Sequence, residues 1–446
     1  MSDDPTFTLP QATKDQQTQV GNYFVSNYPP FAYWSEHDQG ELERVLRQAG
    51  DAESELGLYV HIPFCRKRCH FCYFKVYTDK NKDEIQAYLD AVLEEFERYA
   101  ATPYLQGRRP TFVYFGGGTP SYLSPRQLEH LFTGLKRVMP WDRAREVAFE
   151  CEPGTLTGPK LEVLKAMGVT RLSLGIENLD DHILEINGRA HRTKEIDAVY
   201  PRARELGFEQ INIDLIAGMV EETESNWREV VRKTLAMQPD AVTIYQMEVP
   251  YNTTIYKEMK AAGRLSAPVA DWPTKRRWVS YAYDELEKAG YRVGSAYCAV
   301  RDPERFRFEY RDRLWEGADL LSLGVASFGH LGGVHYQNLK DFQPYIDAVG
   351  LGERPVWRAH RVTAEERLVR ELILRLKLGH VTRSYYQRKF GVDVMERFAG
   401  AWDALRAEGV LRVEGDDIRL TREGLLEVDR LIHAFFLPQH RGERYV

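Results

Sequence analysis

The chain has 446 residues, and 60 basic against 66 acidic residues leave a formal net charge of −6. A hydrophobic share of 43% supports a sizeable core and argues against disorder, and the mildly acidic balance gives nucleic-acid binding no support. The polar start MSDDPTFTLPQATKDQQTQV fits neither a secretory signal nor a transit peptide. The most apolar stretch, Leu320 to Val334, is too short and Gly-rich to span a bilayer, so the expected setting is cytoplasmic.

Residues 1–54 form an N-terminal segment with an aromatic stretch, VGNYFVSNYPPFAYWS, carrying Tyr23, Phe24, Tyr28, Phe31, Tyr33 and Trp34. From 55 to 250 short β-rich runs alternate with helical patterns. The expected strands are Leu58–Pro63, Thr111–Phe115, Val147–Cys151, Arg171–Gly175, Gln210–Ile216 and Val242–Met247. Between the first two, Ile85, Tyr88, Leu89, Val92, Leu93 and Phe96 mark one apolar face of a helix over Asp83–Ala100. Ser124 with Pro125 reads as an N-cap followed by Pro at the first helical position, and Ser225 precedes another helical run. Strands with intervening helices imply an α/β fold: a parallel sheet with right-handed crossovers, curved into a partial (β/α)6 barrel. Residues 251–361 are expected to extend this core and complete the active site. Residues 362–446 read as a small C-terminal α+β domain with a hairpin at Val410–Leu420 and a last helix.

Five cysteines are too few for a disulfide scaffold. Cys65, Cys69 and Cys72 fall together in LYVHIPFCRKRCHFCYFKVY, at the end of the first strand, whereas Cys151 and Cys298 stand apart and read as buried small hydrophobes. Three soft sulfurs in one loop suit zinc, with His61 or His70 as a fourth donor, or an iron–sulfur cluster with one iron left open. Gly116, Gly117 and Gly118, followed by Thr119, end the second strand. They allow close backbone approach and offer N–H groups to a carboxylate, and the absence of a following Lys-Ser/Thr excludes a P-loop. His61, His191 and His330 are given no ligand role.

The spacing CxxxCxxC resembles the signature of the radical S-adenosylmethionine (SAM) superfamily. YVHIPFC, FGGGTP, FECEPGT, RLSLGIEN, INIDLIAG, GADLLSLGVASFG and the C-terminal IRLTREGLLEVDRLIHAFF, in that order, are similar to the oxygen-independent coproporphyrinogen III dehydrogenase-like (HemN-like) family over roughly residues 55 to 436. The resemblance implies a radical SAM barrel and a [4Fe–4S] cluster on Cys65, Cys69 and Cys72. It also implies SAM on the open iron, a second SAM, and cleavage of SAM to methionine and a 5′-deoxyadenosyl radical. A flavodoxin- or ferredoxin-type electron donor would supply the electron.

By the same resemblance Tyr59, Phe71, Gly116, Gly117, Gly118, Thr119, Glu150, Glu177, Arg189 and Asp214 would contact SAM, with Tyr59 reaching its carboxylate and Phe71 stacking on adenine. Glu177 departs from the family pattern, where Gln is usual. The competing expectation for the charged residues is an internal salt bridge between Arg189 and Asp214.

Three reactions are weighed on what the motifs lack. Coproporphyrinogen III oxidative decarboxylation goes with CxxxCxxCxC, but the last position is Phe74 here. A heme chaperone goes with His-Asn-x-x-Tyr-Trp, but the segment here runs from Tyr310 to Trp315 with His and Tyr lost. Elimination leaves carbon alkylation with two SAM molecules, by methyl transfer or cyclopropane formation on an unsaturated, planar small molecule. The aromatic N-terminal segment would then be its cover, or else simply packs on the barrel.

Overall fold

The computed structural model describes residues 24–263 and 268–441, so Tyr23 of the aromatic segment lies outside the described residues. In chain order the strands are β1 (Leu56–Ile62), β2 (Phe112–Gly117), β3 (Glu146–Cys151), β4 (Arg171–Glu177), β5 (Gln210–Ala217), β6 (Ala241–Gln246), β7 (Arg292–Ser295), β8 (Cys298–Val300), β9 (Asp319–Leu323), β10 (Phe328–Leu331), β11 (Val334–Asn338), β12 (Val356–Arg361), β13 (His380–Thr382), β14 (Leu411–Glu414) and β15 (Asp417–Leu420). The first twelve share one sheet, ordered β12-β11-β10-β9-β1-β2-β3-β4-β5-β6-β8-β7. β1 to β6 run parallel, each next to its successor, and β9 adds a further parallel strand against β1. The β7–β8 pair and the β10–β12 meander extend the two edges in antiparallel fashion. All six expected strands form, each within two residues of its expected bounds.

The strands are two-faced. Leu58, Val60, Val113, Phe115, Leu172 and Ile213 are buried in one apolar cluster with helix residues such as Leu89, Leu131 and Leu164. On the opposite face the cross-strand neighbours run Tyr59–Tyr114–Ala148 and Glu150–Ser173–Asn212, with Asp214 beside Thr243. That alternation makes the inner face polar, as the period of two requires. The helix at Glu309–Trp315 plugs it. The backbone N–H groups of Glu309 and Tyr310 donate to the buried Glu146 carboxylate at 3.3 and 3.0 Å, and the Tyr310 ring stacks on Tyr114 at 4.3 Å.

Helix starts follow their caps. The helix at Lys82–Ala100 begins one residue before its expected start, behind a capping box of Asn81 and Glu84, and Ser124 forms a capping box with Gln127. The later helix, Glu224–Met237, is capped by Thr223 rather than begun by Ser225, because the Thr223 hydroxyl accepts from the Asn226 N–H.

β13, β15 and β14 form a separate three-stranded sheet containing the expected hairpin. Its apolar core, with Leu372, Trp402 and Phe435, also takes in Val25, Tyr28 and Trp315. The N-terminal arm is thus pinned between both parts. Phe24 N–H donates to Glu248 at 2.7 Å and Val25 N–H to Asp429 at 2.9 Å. Phe31 packs on Phe328 at 4.6 Å, and Trp34 stacks on His335 at 5.0 Å. No helix among the described residues is long and apolar enough to cross a membrane.

The buried Tyr88 hydroxyl ties β1 to the turn after β9, donating to His61 O at 2.8 Å and accepting from Val325 N–H at 3.1 Å. Tyr88→Phe removes both bonds and leaves two buried backbone groups unpaired, so it should cost about 1–3 kcal/mol. A lower thermal midpoint with unchanged far-UV circular dichroism is the expected result.

Candidate functional site

The cysteine loop leaves β1 at Pro63 and is closed at its base by Tyr77, whose N–H donates to Pro63 O at 2.8 Å and whose carbonyl accepts from Cys65 N–H at 3.0 Å. The end of β2 clamps the other side: Gly118 N–H donates to Ile62 O, and Thr119 N–H to Phe64 O, both at 2.8 Å. A Cβ on Gly118 would stand 2.9 Å from Ile62 O and 3.0 Å from Phe64 O, so only glycine allows this approach. Inside the loop Cys72 N–H donates to Cys69 O at 3.2 Å, and Arg68 donates to Cys72 O at 3.0 Å. Two outside groups touch the sulfurs: the Thr119 hydroxyl lies 3.3 Å from Cys65 Sγ, and Arg189 Nη1 lies 3.2 Å from Cys69 Sγ.

Burial pushes the Cys65 thiol up to about 12 and the Cys72 thiol up to about 11, with repulsion from the neighbouring thiolates adding to both. A metal that binds as thiolate must therefore displace protons here. Among the described residues no three Cys, His, Asp or Glu side chains converge on a single metal ion. A tetrahedral zinc with bonds of about 2.3 Å needs its sulfurs about 3.8 Å apart. Of the two histidines considered as its fourth donor, His61 bonds Tyr59 and His70 bonds Ile186 O, each through Nδ1. The donor set suits a multi-iron cluster better than one zinc ion.

Above the loop the carboxyl ends of β3, β4 and β5 bring three acids to one chamber. Glu150 accepts from the Tyr114 hydroxyl at 2.5 Å and from Gly117 N–H at 3.2 Å. Burial raises Glu150 to about 7, and Asp214 adds to the rise; Glu177 is raised to about 7 by burial as well, with Asp214 and Glu150 contributing. Asp214, also raised by burial, accepts from Asn212 at 2.8 Å and Ser173 at 3.2 Å. Arg189 does not pair with Asp214. It lies 3.7 Å from Glu177 and donates to Gly175 O at 2.5 Å, because the bulge between Gly175 and Glu177 turns that acid toward it. Its Nε is buried without a partner.

The remaining expected residues fall around this chamber. The Tyr59 hydroxyl bonds His61 Nδ1 at 3.0 Å, so it already has a partner. Gly116 and Gly117 close β2 beside Glu150 and His61. Gly117 has φ 111°, and a Cβ there would lie 2.4 Å from His61 Cε1. Phe71 leaves the acids and packs on the apolar cluster of Ile216, Met247 and Ile255. His191 is held by Glu152 and Ile176 O, and Cys151 and Cys298 are buried, as expected for structural residues. Sequence reasoning missed Tyr114, the hydroxyl partner of Glu150; its position two residues before Gly116 on a strand was the available signal. It also missed Tyr73, Phe74 and Tyr245, which stay 37%, 47% and 43% exposed.

Residues 59–234 match the Radical SAM superfamily, and residues 362–426 match the HemN C-terminal domain. The chain is 28% identical to the heme chaperone HemW of Bacillus subtilis, over 84% of this chain and 98% of that one. It is 27% identical to the oxygen-independent coproporphyrinogen III oxidase of Synechocystis sp., over 92% and 91%. The solved structure of the Escherichia coli coproporphyrinogen III oxidase, HemN, matches with TM-score 0.79 at 25% identity, covering 92% of this chain and 96% of that one. Fold and site together define a radical SAM protein. The chain joins a Radical SAM domain to a HemN C-terminal domain, and its cofactors are a [4Fe–4S] cluster and SAM.

The carboxyls predict a pH effect. Because the folded value of Glu150 is raised from 4.5 to about 7, its protonated form is favoured in the fold, and stability is lost as pH rises through that window. In ligand-free protein, Glu150→Gln should flatten the fall of the thermal midpoint between pH 5 and pH 8, as measured by scanning fluorimetry.

Proposed function

We propose that this radical SAM enzyme oxidises a tetrapyrrole substrate of the coproporphyrinogen III type. The observation that carries the reading is the match of both domains, over nearly the whole of each chain, to the coproporphyrinogen III oxidase structure. Carbon alkylation, expected from the sequence by elimination, finds no support among these relatives, which are named as oxidases and as a heme chaperone. Heme carriage is disfavoured by what the corresponding segment already packs against. The segment Tyr310–Trp315 is the helix that plugs the barrel, with Tyr310 against Tyr114 and Trp315 inside the C-terminal core.

Cys65, Cys69 and Cys72 would hold the cluster, with the Thr119 hydroxyl and Arg189 stabilising sulfur charge by hydrogen bonding. Bound there, the cluster and SAM supply one-electron reductive cleavage of SAM and, through it, hydrogen abstraction. Glu150, Glu177 and Asp214 outnumber the cations beside them, Arg189 and Arg171, which favours the positively charged SAM over a neutral ligand. The backbone of Gly116, Gly117 and Gly118 borders it, and Tyr59 orders His61 at its wall. Phe71, packed on the cluster of Met247 and Ile255, would stack on the adenine. The exposed rings of Tyr73, Phe74 and Tyr245 give an aromatic surface for pyrroles. The N-terminal arm from Phe24 to Trp34 would close over the substrate.

Three measurements test this. Replacing any one of Cys65, Cys69 and Cys72 by Ala should abolish the visible cluster absorbance and dithionite-driven formation of 5′-deoxyadenosine. Asp214→Asn should keep the iron but weaken SAM binding about ten- to a hundredfold, the loss expected for a charge-assisted contact. Anaerobic incubation with coproporphyrinogen III should release carbon dioxide. Methyl label passing from SAM to the tetrapyrrole instead would reject oxidation.

A further inference from the structure

Glu248 stands just past the carboxyl end of β6, half-buried, in the same turn of chain as Tyr245. Its Oε1 accepts the N–H of Phe24, from the N-terminal arm, at 2.7 Å. Among the described residues Phe24 is its one hydrogen-bond partner, and no cation pairs with it. The two lysines nearest it are engaged elsewhere. Lys275 Nζ donates to Met247 O at 2.7 Å and lies 3.6 Å from the centre of the Trp272 ring. Lys377 Nζ pairs with Asp429 at 2.7 Å and donates to Val25 O at 2.5 Å. Asp429 in turn also accepts from the Tyr297 hydroxyl and from Val25 N–H, so Glu248 is the acid of this junction with an open oxygen. Burial pushes it up to about 8, with Asp429 adding to the rise and the Phe24 N–H, Lys275 and Lys377 opposing it. A carboxylate so enclosed calls for a further donor.

Aromatic rings surround it. Phe24 meets Tyr297 edge-on at 5.1 Å, and Tyr297 stacks on Tyr245 at 6.4 Å. Burial of its hydroxyl raises Tyr73, on the cysteine loop, and Glu248, Cys72 and Glu150 add to that rise. Burial likewise raises Tyr245, with Asp214, Glu150 and Tyr73 adding. Tyr73 and Tyr245 therefore stand between Glu248 and the acid chamber above the cysteine loop, and both rings keep an exposed face.

A lone acid among rings suits a ligand that is itself aromatic and carries N–H donors. The rings supply stacking surface, and an N–H donated to a carboxylate makes a charge-assisted bond. A porphyrinogen meets both demands. Its bridging carbons are saturated, so its pyrroles tilt and can turn their N–H groups toward one face. A flat, oxidised porphyrin holds its N–H groups inside the ring plane, beyond the reach of a side chain. The peripheral carboxylates of such a substrate are repelled by Glu248, so the centre of the macrocycle, not its rim, must face this acid.

We propose that Glu248 is a substrate-binding residue that accepts pyrrole N–H groups and so selects a reduced, non-planar tetrapyrrole over its flat, oxidised form. The inference rests on the reading of a coproporphyrinogen-type substrate. Because the same carboxylate holds Phe24, it also sets the N-terminal arm against the bound macrocycle.

The test titrates the reconstituted enzyme by anaerobic calorimetry with coproporphyrinogen III and, separately, with coproporphyrin III. Glu248→Gln keeps an acceptor for the Phe24 N–H and removes the charge. It should weaken coproporphyrinogen III binding about ten- to a hundredfold, the loss of a charge-assisted bond, and change coproporphyrin III affinity by less than about twofold. The flat ligand thus reports that the variant is folded with its site intact. Equal coproporphyrinogen III affinity in both proteins overturns the assignment, and so does a parallel loss of both ligands, which marks a structural role. Loss of SAM binding with coproporphyrinogen III unaffected also overturns it, because the donor on Glu248 would then be an ammonium. An unaltered enzyme that binds neither ligand overturns the substrate reading, and this assignment with it.

Discussion

A buried carboxylate must be neutralised by a proton, a partner or a ligand, and three of them share one end of this barrel. Glu150, Glu177 and Asp214 raise one another's affinity for protons, and Arg189 is the cation beside Glu177. Their neighbours are arranged around that constraint. Tyr114 and Gly117 solvate Glu150, Asn212 and Ser173 solvate Asp214, and Arg189 divides its donors between Gly175 O and the sulfur of Cys69. The acid chamber and the cysteine loop are therefore coupled through one guanidinium. A ligand bearing positive charge would relieve the repulsion among them.

The loop itself is held by backbone, not by its sulfurs. Bonds from Tyr77, Gly118 and Thr119 fix both of its ends, and Gly118 permits the approach that the β2 terminus makes to β1. At the opposite end, Glu146 receives the N–H groups that start the plug helix, so the barrel is closed by a segment distant in sequence.

The likeness to the HemN-like family and the departures from its usual residues are reconciled by where the departures sit. Phe74, standing where a further cysteine is usual, is an exposed ring beside Tyr73 at 4.5 Å, so it adds aromatic surface where a thiol would add a ligand. Tyr310 stands where a heme carrier has histidine and is packed in the barrel interior. One change alters what the site presents to a substrate; the other fills space.

The sequence by itself determined the six parallel strands, the helix after β1, the cysteine loop and the order of the glycine-rich turn. Each is written in local terms: a period of two or 3.6, a cap, a spacing. The resemblance to the family was legible for the same reason, because its motifs are contiguous. Three things were decided only by the tertiary structure. Arg189 pairs with Glu177 and not Asp214 because a bulge in β4 reorients the acid. β9, more than 250 residues after β1, completes the parallel set beside it. The inner strand face is closed by the helix at Glu309–Trp315, which reaches Glu146 and Tyr114 from a distant part of the chain. Such outcomes depend on which distant segments meet, and a chain read in order carries no local signal for that.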